Sequence, residues 1–254
     1  MDAETRELFA RSIDDATTKH TGPALDAALA EVGWPDALRD EPRDAIAILF
    51  ERQGMHHAMS GALEKVVLHA LGSDADSVLL PALGQTHHPV TNGGADADER
   101  QPGDWERAVM YAHLAIAHEL IGASRTMLEQ ARQHALEREQ FGRPIAMFQA
   151  VRHRLADALI AIETAAAMLE GAWDDGTPTS AAMAKAVAGR SARTVARHAQ
   201  QVLAGIGFTT EHDFHRYFRR VLVLDQLFGS SRALTRDLGH AVLASSELPP
   251  LLPL

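Results

Sequence analysis

The sequence predicts an all-α protein in which an N-terminal helical segment precedes an antiparallel four-helix bundle, with a much reduced middle β segment between them. Three observations predict it. Apolar residues recur every three or four positions over most of the 254 residues, the spacing of amphipathic helices. Glycine and proline punctuate the ends of these runs. The one stretch of different character, residues 73–103, is too short for an independent barrel or sandwich at about 5–6 residues per strand plus turns.

Leu8, Phe9 and Ile13 lie at helical spacing within residues 3–19, and Leu25, Ala28 and Leu29 within 23–33, where Gly33 stops the run. A third pattern extends from about Pro42 through Phe50, and a fourth from about Ser60 to Leu71, with Leu63, Val66, Val67 and Ala70 as its stripe before Gly72. Residues 1–72 thus read as an N-terminal helical region. Residues 73–103, rich in Asp, Gly, Pro, Thr and Asn, read as a vestigial middle segment or linker, in which Val78–Leu83 suits a strand or a buried turn.

From about Asp104 to Glu139, Val109, Ala112, Ile116, Leu120, Ala123, Met127, Ala131 and Ala135 repeat with helical period, predicting a helix of roughly 50 Å at 1.5 Å per residue. A second long helix, from about Met147 to Trp173, turns Val151, Leu155, Leu159, Ile162 and Leu169 inward and ends at Asp174-Asp175-Gly176. Thr177 caps a third, with Pro178 in its first turn, and Gly205-Ile206-Gly207 breaks it after Ala204. A fourth, from about Asp213 to Ser245, carries Phe214, Phe218, Leu222 and Leu234 and contains a break signal at Gly229-Ser230-Ser231. Residues 104–245 are therefore the expected bundle, since four long helices with short connections pack antiparallel, and residues 246–254 form a proline-broken tail.

Composition narrows function. A net charge of −10 and a pI near 5.7 disfavour bulk attraction to nucleic acid or an anionic membrane. The absence of cysteine excludes disulfides, thiolate nucleophiles and cysteine-ligated metal centres. Met-Asp-Ala-Glu-Thr-Arg-Glu at the start lacks the basic and apolar parts of a signal peptide, and no stretch approaches the ~20 apolar residues of a membrane span. The expectation is a cytoplasmic protein.

The segment Arg-Glu-Gln-Phe-Gly-Arg-Pro-Ile-Ala-Met-Phe-Gln, residues 138–149, carries the strongest motif. A helix terminus explains Gly142 and Pro144; it does not explain Arg138, Gln140, Phe141 and Gln149 in this order. Here the sequence resembles the C-terminal domain of the acyl-CoA dehydrogenase family, whose long helix ends in Arg-x-x-Phe-Gly followed by a glutamine. Gln201-Val202-Leu203-Ala204-Gly205-Ile206-Gly207-Phe208 is similar to that family's Gln-x-x-Gly-Gly-x-Gly-Phe/Tyr segment, and Arg216, Arg219 and Arg220 fall in its basic stretch. Ala27–Trp34 resembles its Leu-x-x-x-Gly-Trp element.

The resemblance implies FAD as cofactor. Arg138 and Gln140 would approach the phosphates of a dimer mate's FAD, with Phe141 packed nearby. Phe148, Gln149 and the turn from Gln201 through Ala204 and Gly205 would approach its ADP half. Guanidinium groups pair with phosphate oxygens, and a glycine turn lets backbone N–H groups come close. Ala204 stands where the family has its first glycine.

The family's catalytic base is a glutamate that removes the α-proton of an acyl-CoA thioester. Its two family positions fall here on Gly229 and Ala112, neither of which can accept a proton. Asp225, Glu119 and Glu106 are the candidates for a relocated acid, against the ordinary use of such residues in solvated faces and ion pairs. A middle β-domain does not fit into 73–103. A chain lacking both features resembles the smaller subunit of heteromeric acyl-CoA dehydrogenases. The resemblance implies a larger acyl-CoA dehydrogenase partner, in a heterodimer or heterotetramer that shares FAD, supplies the base and binds most of the acyl-CoA. Steroid-CoA thioesters are one substrate class of such bacterial heteromers. The competing expectations are a self-sufficient enzyme with a relocated acid and a flavin-free structural bundle.

Other constellations are weaker. Gly205-Ile206-Gly207 lacks the strand and third glycine of a dinucleotide fingerprint, and His118-Glu119-Leu120-Ile121-Gly122 lacks the second histidine of a zinc-protease helix. His56-His57, His87-His88 and His212/His215 read as surface residues, with no metal expected. Arg190, Arg193 and Arg197, at i, i+3, i+7, read as a solvated helix face, with an interface to a partner's acidic groups as the lesser alternative.

Overall fold

The computed structural model describes residues 1–73 and 102–245. Both amphipathic blocks are helical. The first block contains α1 (Ala3–Lys19), α2 (Pro23–Glu31), α3 (Trp34–Asp40), α4 (Pro42–His56) and α5 (Ala62–Ala70). The second contains α6 (Pro102–Glu137), a hairpin of β1 (Glu139–Gln140) and β2 (Arg143–Pro144), then α7 (Gln149–Asp175), α8 (Pro178–Leu203), α9 (Phe214–Gln226) and α10 (Ser231–Ser245). The segment Val78–Leu83, His87-His88 and residues 246–254 lie outside the described residues.

Local chemistry sets the boundaries. Asp2 caps α1 by accepting from the Thr5 N–H at 2.8 Å, and Thr177 and Ser180 form a reciprocal capping box at the start of α8. Gly176, at φ +65°, ends α7 in the left-handed conformation that glycine adopts without penalty. Short α3 went unpredicted, since Trp34-Pro35 follows a glycine stop. Its Trp34 is fully buried and donates its indole N–H to the Ala45 carbonyl at 2.9 Å.

The bundle differs from the expected four helices in one respect: its fourth helix is two. Leu227 (ψ +136°) and Phe228 (φ +54°) leave helical geometry, so α9 and α10 are separated by a tight loop through Gly229 and Ser230. One expected core residue also points outward: Leu159 is exposed, whereas Ala158, Ile162, Ala165, Leu169 and Ala172 form the buried stripe of α7.

Facing stripes of alanine on α6 and α8, among them Ala108, Ala112, Ala131, Ala184, Ala192 and Ala199, build much of the bundle core. Small side chains there let the helix axes approach closely. A tighter crossing joins the two blocks. A Cβ on Gly54 of α4 would lie 2.2 Å from the Glu119 carbonyl oxygen, and one on Gly122 of α6 would lie 2.1 Å from that of Glu51, so backbone meets backbone and only glycine fits. Thr126 and Tyr217 both donate to the Met55 carbonyl, at 2.9 and 3.0 Å, and pin the end of α4 against α6 and α9. No helix among the described residues is long and apolar enough to cross a membrane.

Candidate functional site

The two sequence motifs meet at one end of the bundle. After α6, the pairs Glu139 with Pro144 and Gln140 with Arg143 close a two-residue hairpin. Its turn residues, Phe141 at φ +57° and Gly142 at φ +75°, both have positive φ, the requirement of the turns that suit the right-handed strand twist. Glycine meets it freely; phenylalanine does so under strain. The Phe141 side chain lies outside the fold at 92% exposure. Its ring meets Phe148 edge to face at 6.1 Å, and the Arg143 guanidinium stacks 4.5 Å from the Phe148 ring centre, a cation–π arrangement.

Across from the hairpin, α8 ends at Leu203 and the chain turns through Ala204, at φ +53° and ψ −130°. A side chain is strained there, which accounts physically for a glycine at this place in the family motif. The Ala204 N–H still closes on the Gln200 carbonyl, so the alanine preserves the turn.

Two adjoining hollows lie between these elements. One, of about 440 Å³, is lined by Gln140, Phe141, Phe148, Arg154, Gln201 and Ala204 among others. The other, of about 480 Å³, is lined by residues including His134, Arg138, Gln140, Ala204, Gly205 and Ile206. The structure therefore brings together Arg138, Gln140, Phe141, Phe148, Gln201, Ala204 and Gly205. Gln149, exposed at the first turn of α7, lines neither hollow. Sequence reasoning missed Arg154, Arg143, Ile145 and His134. Arg154 had a signal, since it follows Ala150 and Val151 at helical spacing on the face that α7 turns toward Gln201. Burial, reinforced by the charges of His212 and Arg138, lowers the His134 pKa, which keeps its imidazole neutral at the rim.

The donor set suits a nucleotide diphosphate. Guanidinium groups from Arg138 and Arg154 can pair with phosphate oxygens, the Gln140 and Gln201 amides can donate or accept, and the two phenylalanine faces offer apolar stacking area. The hollows are open, however, whereas a ligand site encloses most of its ligand. This chain carries one wall of such a site.

The Gly229 loop is built in the opposite way. Lys185 of α8, fully buried, donates its ammonium to the Asp225 carbonyl at 2.8 Å and to the Gly229 carbonyl. Burial pulls its pKa down to about 8, against the opposing pull of Asp225. His113 of α6, equally buried, meets the Phe228 carbonyl through Nε2 at 3.0 Å and must donate there. Its pKa falls to about 4 through burial, so it is neutral. The carbonyls of Asp225, in the last turn of α9, and of Phe228 and Gly229, in the loop, are thereby held against the core. Gly229 itself, at φ +97°, would place a Cβ 3.2 Å from Leu234 Cδ2. Ala112, the other family base position, is completely buried in the bundle core.

Two of the three candidate relocated acids are committed elsewhere. Asp225 is 0% exposed and accepts from the Ser231 N–H and from the Arg193 guanidinium, each at 3.0 Å. Glu119 is buried and accepts from Arg220 at 2.7 Å; burial raises its pKa more than Arg220 lowers it. Glu106 lies on an exposed position of α6. No group of three His, Asp or Glu residues among the described ones could hold a metal ion. His56 pairs with Asp14 at 2.9 Å, and the His212 ring nitrogen accepts from the Phe214 N–H at 3.1 Å.

Comparison with known proteins places this geometry in context. The profile of the acyl-CoA dehydrogenase C-terminal domain matches residues 105–243. Acyl-CoA dehydrogenase IpdE2 of Mycobacterium tuberculosis is 40% identical over 134 residues, covering 53% of this chain and 42% of the relative. The chain thus spans less than half the length of that curated relative. Its fold is similar to a chain of the ChsE4-ChsE5 complex from Mycobacterium tuberculosis, with a TM-score of 0.77 at 20% identity, covering 98% of this chain and 99% of that one. A chain of the Tcur3481-Tcur3483 steroid ACAD, G363A variant, gives 0.76 at 20% identity, covering 96% and 99%.

Proposed function

The chain belongs to the acyl-CoA dehydrogenase family through residues 105–243, and from that premise we propose that it is the auxiliary subunit of a cytoplasmic heteromeric FAD-dependent acyl-CoA dehydrogenase. The observation that carries the reading is the contrast between an open half-site at 138–148 and 201–205 and a Gly229 loop that carries no base at the family position. Arg138 and Arg154 would hold the diphosphate of an FAD seated mainly in the partner. Gln140 and Gln201 would orient its ribose and adenine, while Phe141 and Phe148 exclude water from the apolar part. Bound flavin supplies the hydride acceptor for α,β-desaturation. The partner supplies the glutamate that removes the α-proton, because Gly229 and Ala112 cannot.

The heteromeric arrangement is supported by the shared fold with a chain of the ChsE4-ChsE5 complex. A steroid-CoA thioester is the substrate class this reading favours, on the strength of the fold shared with the Tcur3481-Tcur3483 steroid ACAD. The division into a helical region at 1–72, a middle segment at 73–103, a bundle at 104–245 and a tail at 246–254 belongs to the same reading.

Co-expression with a full-length acyl-CoA dehydrogenase from the same source tests it. The expected result is a yellow complex containing both subunits and a colourless chain when expressed alone. A yellow homo-oligomer of this chain that bleaches with an acyl-CoA would establish the self-sufficient enzyme instead. A stable complex without flavin would establish the structural bundle.

A further inference from the structure

Helix α7 packs its inner face on α6 and α8 and leaves its outer face open. That outer face carries Leu159 and Ile160, large apolar side chains at 47% and 64% exposure. Ala156 and Ala167, on the same side of the helix as Ile160, are exposed as well. Glu163, between them, turns aside to Arg125 of α6 at 2.9 Å. Small residues on either side of a larger apolar pair let a second helix approach closely.

The charges of α7 run against its own dipole. Anionic side chains stabilise a helix N-terminus and cationic ones a C-terminus, yet Arg152 and Arg154 stand near the start of α7, and its second half is charged only by Glu163, Glu170, Asp174 and Asp175. The first turn holds no acid and the last turn no base. Arg43 of α4 offsets part of the acidic end, reaching Glu170 at 2.8 Å and Asp174 at 2.7 Å. Nothing offsets the other end in this way: Arg152 is exposed and has no ion pair among the described residues.

The pattern is its own complement when reversed. A second α7 laid antiparallel about a two-fold axis near residues 161 and 162 sets Ala156 of one copy against Ala167 of the other, and Arg152 against Glu170 along one flank. Symmetry makes both contacts twice. Leu159 and Ile160 of the two copies then meet around the axis. Each basic start lies beside an acidic end, so charges that are unfavourable within one helix become favourable between two.

We propose that the outer face of α7 is a self-association surface, covered by a second copy of this chain packed antiparallel across a two-fold axis. The proposal goes beyond the flavin reading and stands without it, since Arg152, Ala156, Leu159, Ile160, Ala167 and Glu170 line neither hollow of the cradle. Where a larger subunit also binds, the same contact joins two heterodimers into a heterotetramer.

The sequence contains no cysteine, so Ile160→Cys introduces a single thiol beside the axis. Oxidation or a short bismaleimide is expected to yield a covalent dimer of the full chain, whereas Leu8→Cys, comparably exposed on α1, is expected to yield none. Sedimentation equilibrium measures the strength of the contact. Arg152→Glu is expected to raise the dimer dissociation constant at least about tenfold at unchanged helix content. Adding Glu170→Arg is expected to restore it to within about threefold, with Arg43 still held by Asp174. Restoration by the reversed pair separates a direct contact from a folding defect. A colourless dimer with these properties supports the proposal whatever becomes of the flavin. A chain that is monomeric alone and present as one copy in a complex with a larger subunit overturns it, as does a dimer that Arg152→Glu leaves unchanged. Cross-linking of Ile160→Cys to a larger subunit alone also overturns it and makes the face a heteromeric contact.

Discussion

The proposed flavin cradle and the Gly229 loop belong to the same bundle, yet they are opposites. In the cradle, arginine, glutamine and phenylalanine side chains face outward from a strained turn, with Phe141 at 92% exposure. In the loop the backbone carbonyls face inward, toward a buried lysine and a buried histidine. Phe141 and Phe228 share a positive φ, at +57° and +54°, yet one is exposed and the other buried, so the surroundings and not the backbone angle set the difference. The difference teaches that the residues of the family motif stay exposed at one end of the bundle, while the loop at the family's base position is fastened to the core through its carbonyls.

Acid is expected to break the closed side with the largest effect. His113 and His118 have pKa values lowered to about 4 and about 3, chiefly by burial. His118 accepts the Trp173 indole N–H at 3.0 Å, so it too must be neutral. Between the ordinary histidine value of 6.5 and these folded values the unfolded chain binds more protons, and stability therefore falls as pH falls. Each histidine should account for about 3 kcal/mol of lost stability by pH 4. Glu119 acts with the opposite sign, because its raised pKa makes the native state bind the proton first, and offsets part of the loss. Denaturant unfolding across this pH range, with His113→Gln reducing the slope, checks the sign and the size.

Lys185→Met comes next. It leaves the Asp225 and Gly229 carbonyls without their buried donor, at a cost of about 2 kcal/mol after the lysine's own desolvation is recovered. Chemical denaturation should show that loss. Gly229→Glu in the complex is expected to leave turnover unchanged, since the added side chain enters a position with φ +97° and a contact at 3.2 Å.

On the open side, Arg138→Ala is expected to reduce flavin retention by about tenfold, or about 1.4 kcal/mol, while the subunits stay associated and the chain keeps its melting temperature. Fluorescence of released flavin after gel filtration measures it. The smallest effect sharpens the comparison from the other direction. Ala204→Gly relieves a positive φ and should stabilise the chain by about 1 kcal/mol, with flavin retained.

Much of this contrast was legible in the sequence, and the reason differs by region. The cradle is local: Arg138, Gln140, Phe141 and Phe148 lie within one helix end and hairpin, and Gln201 to Gly205 within one turn, so spacing alone brought each group into view. Gly229 and Ala112 also showed what was missing. What holds the loop closed was not legible, because Lys185 reaches Gly229 across 44 positions and His113 reaches Phe228 across 115. Periodicity reports which face of a helix is apolar, not which distant carbonyl a buried cation will meet. The break between α9 and α10 had its glycine signal, whereas α3, only 7 residues long, was too short for periodicity to register.

The central claim is tested most directly by the flavin content per complex when Arg138→Ala is introduced in this chain alone, with the partner left intact. The account predicts a colourless isolated chain, a flavin-containing complex with the unaltered subunit, and flavin loss at unchanged subunit ratio with the variant. Full flavin content in the variant complex would contradict it, because the partner would then hold the cofactor without this chain's wall.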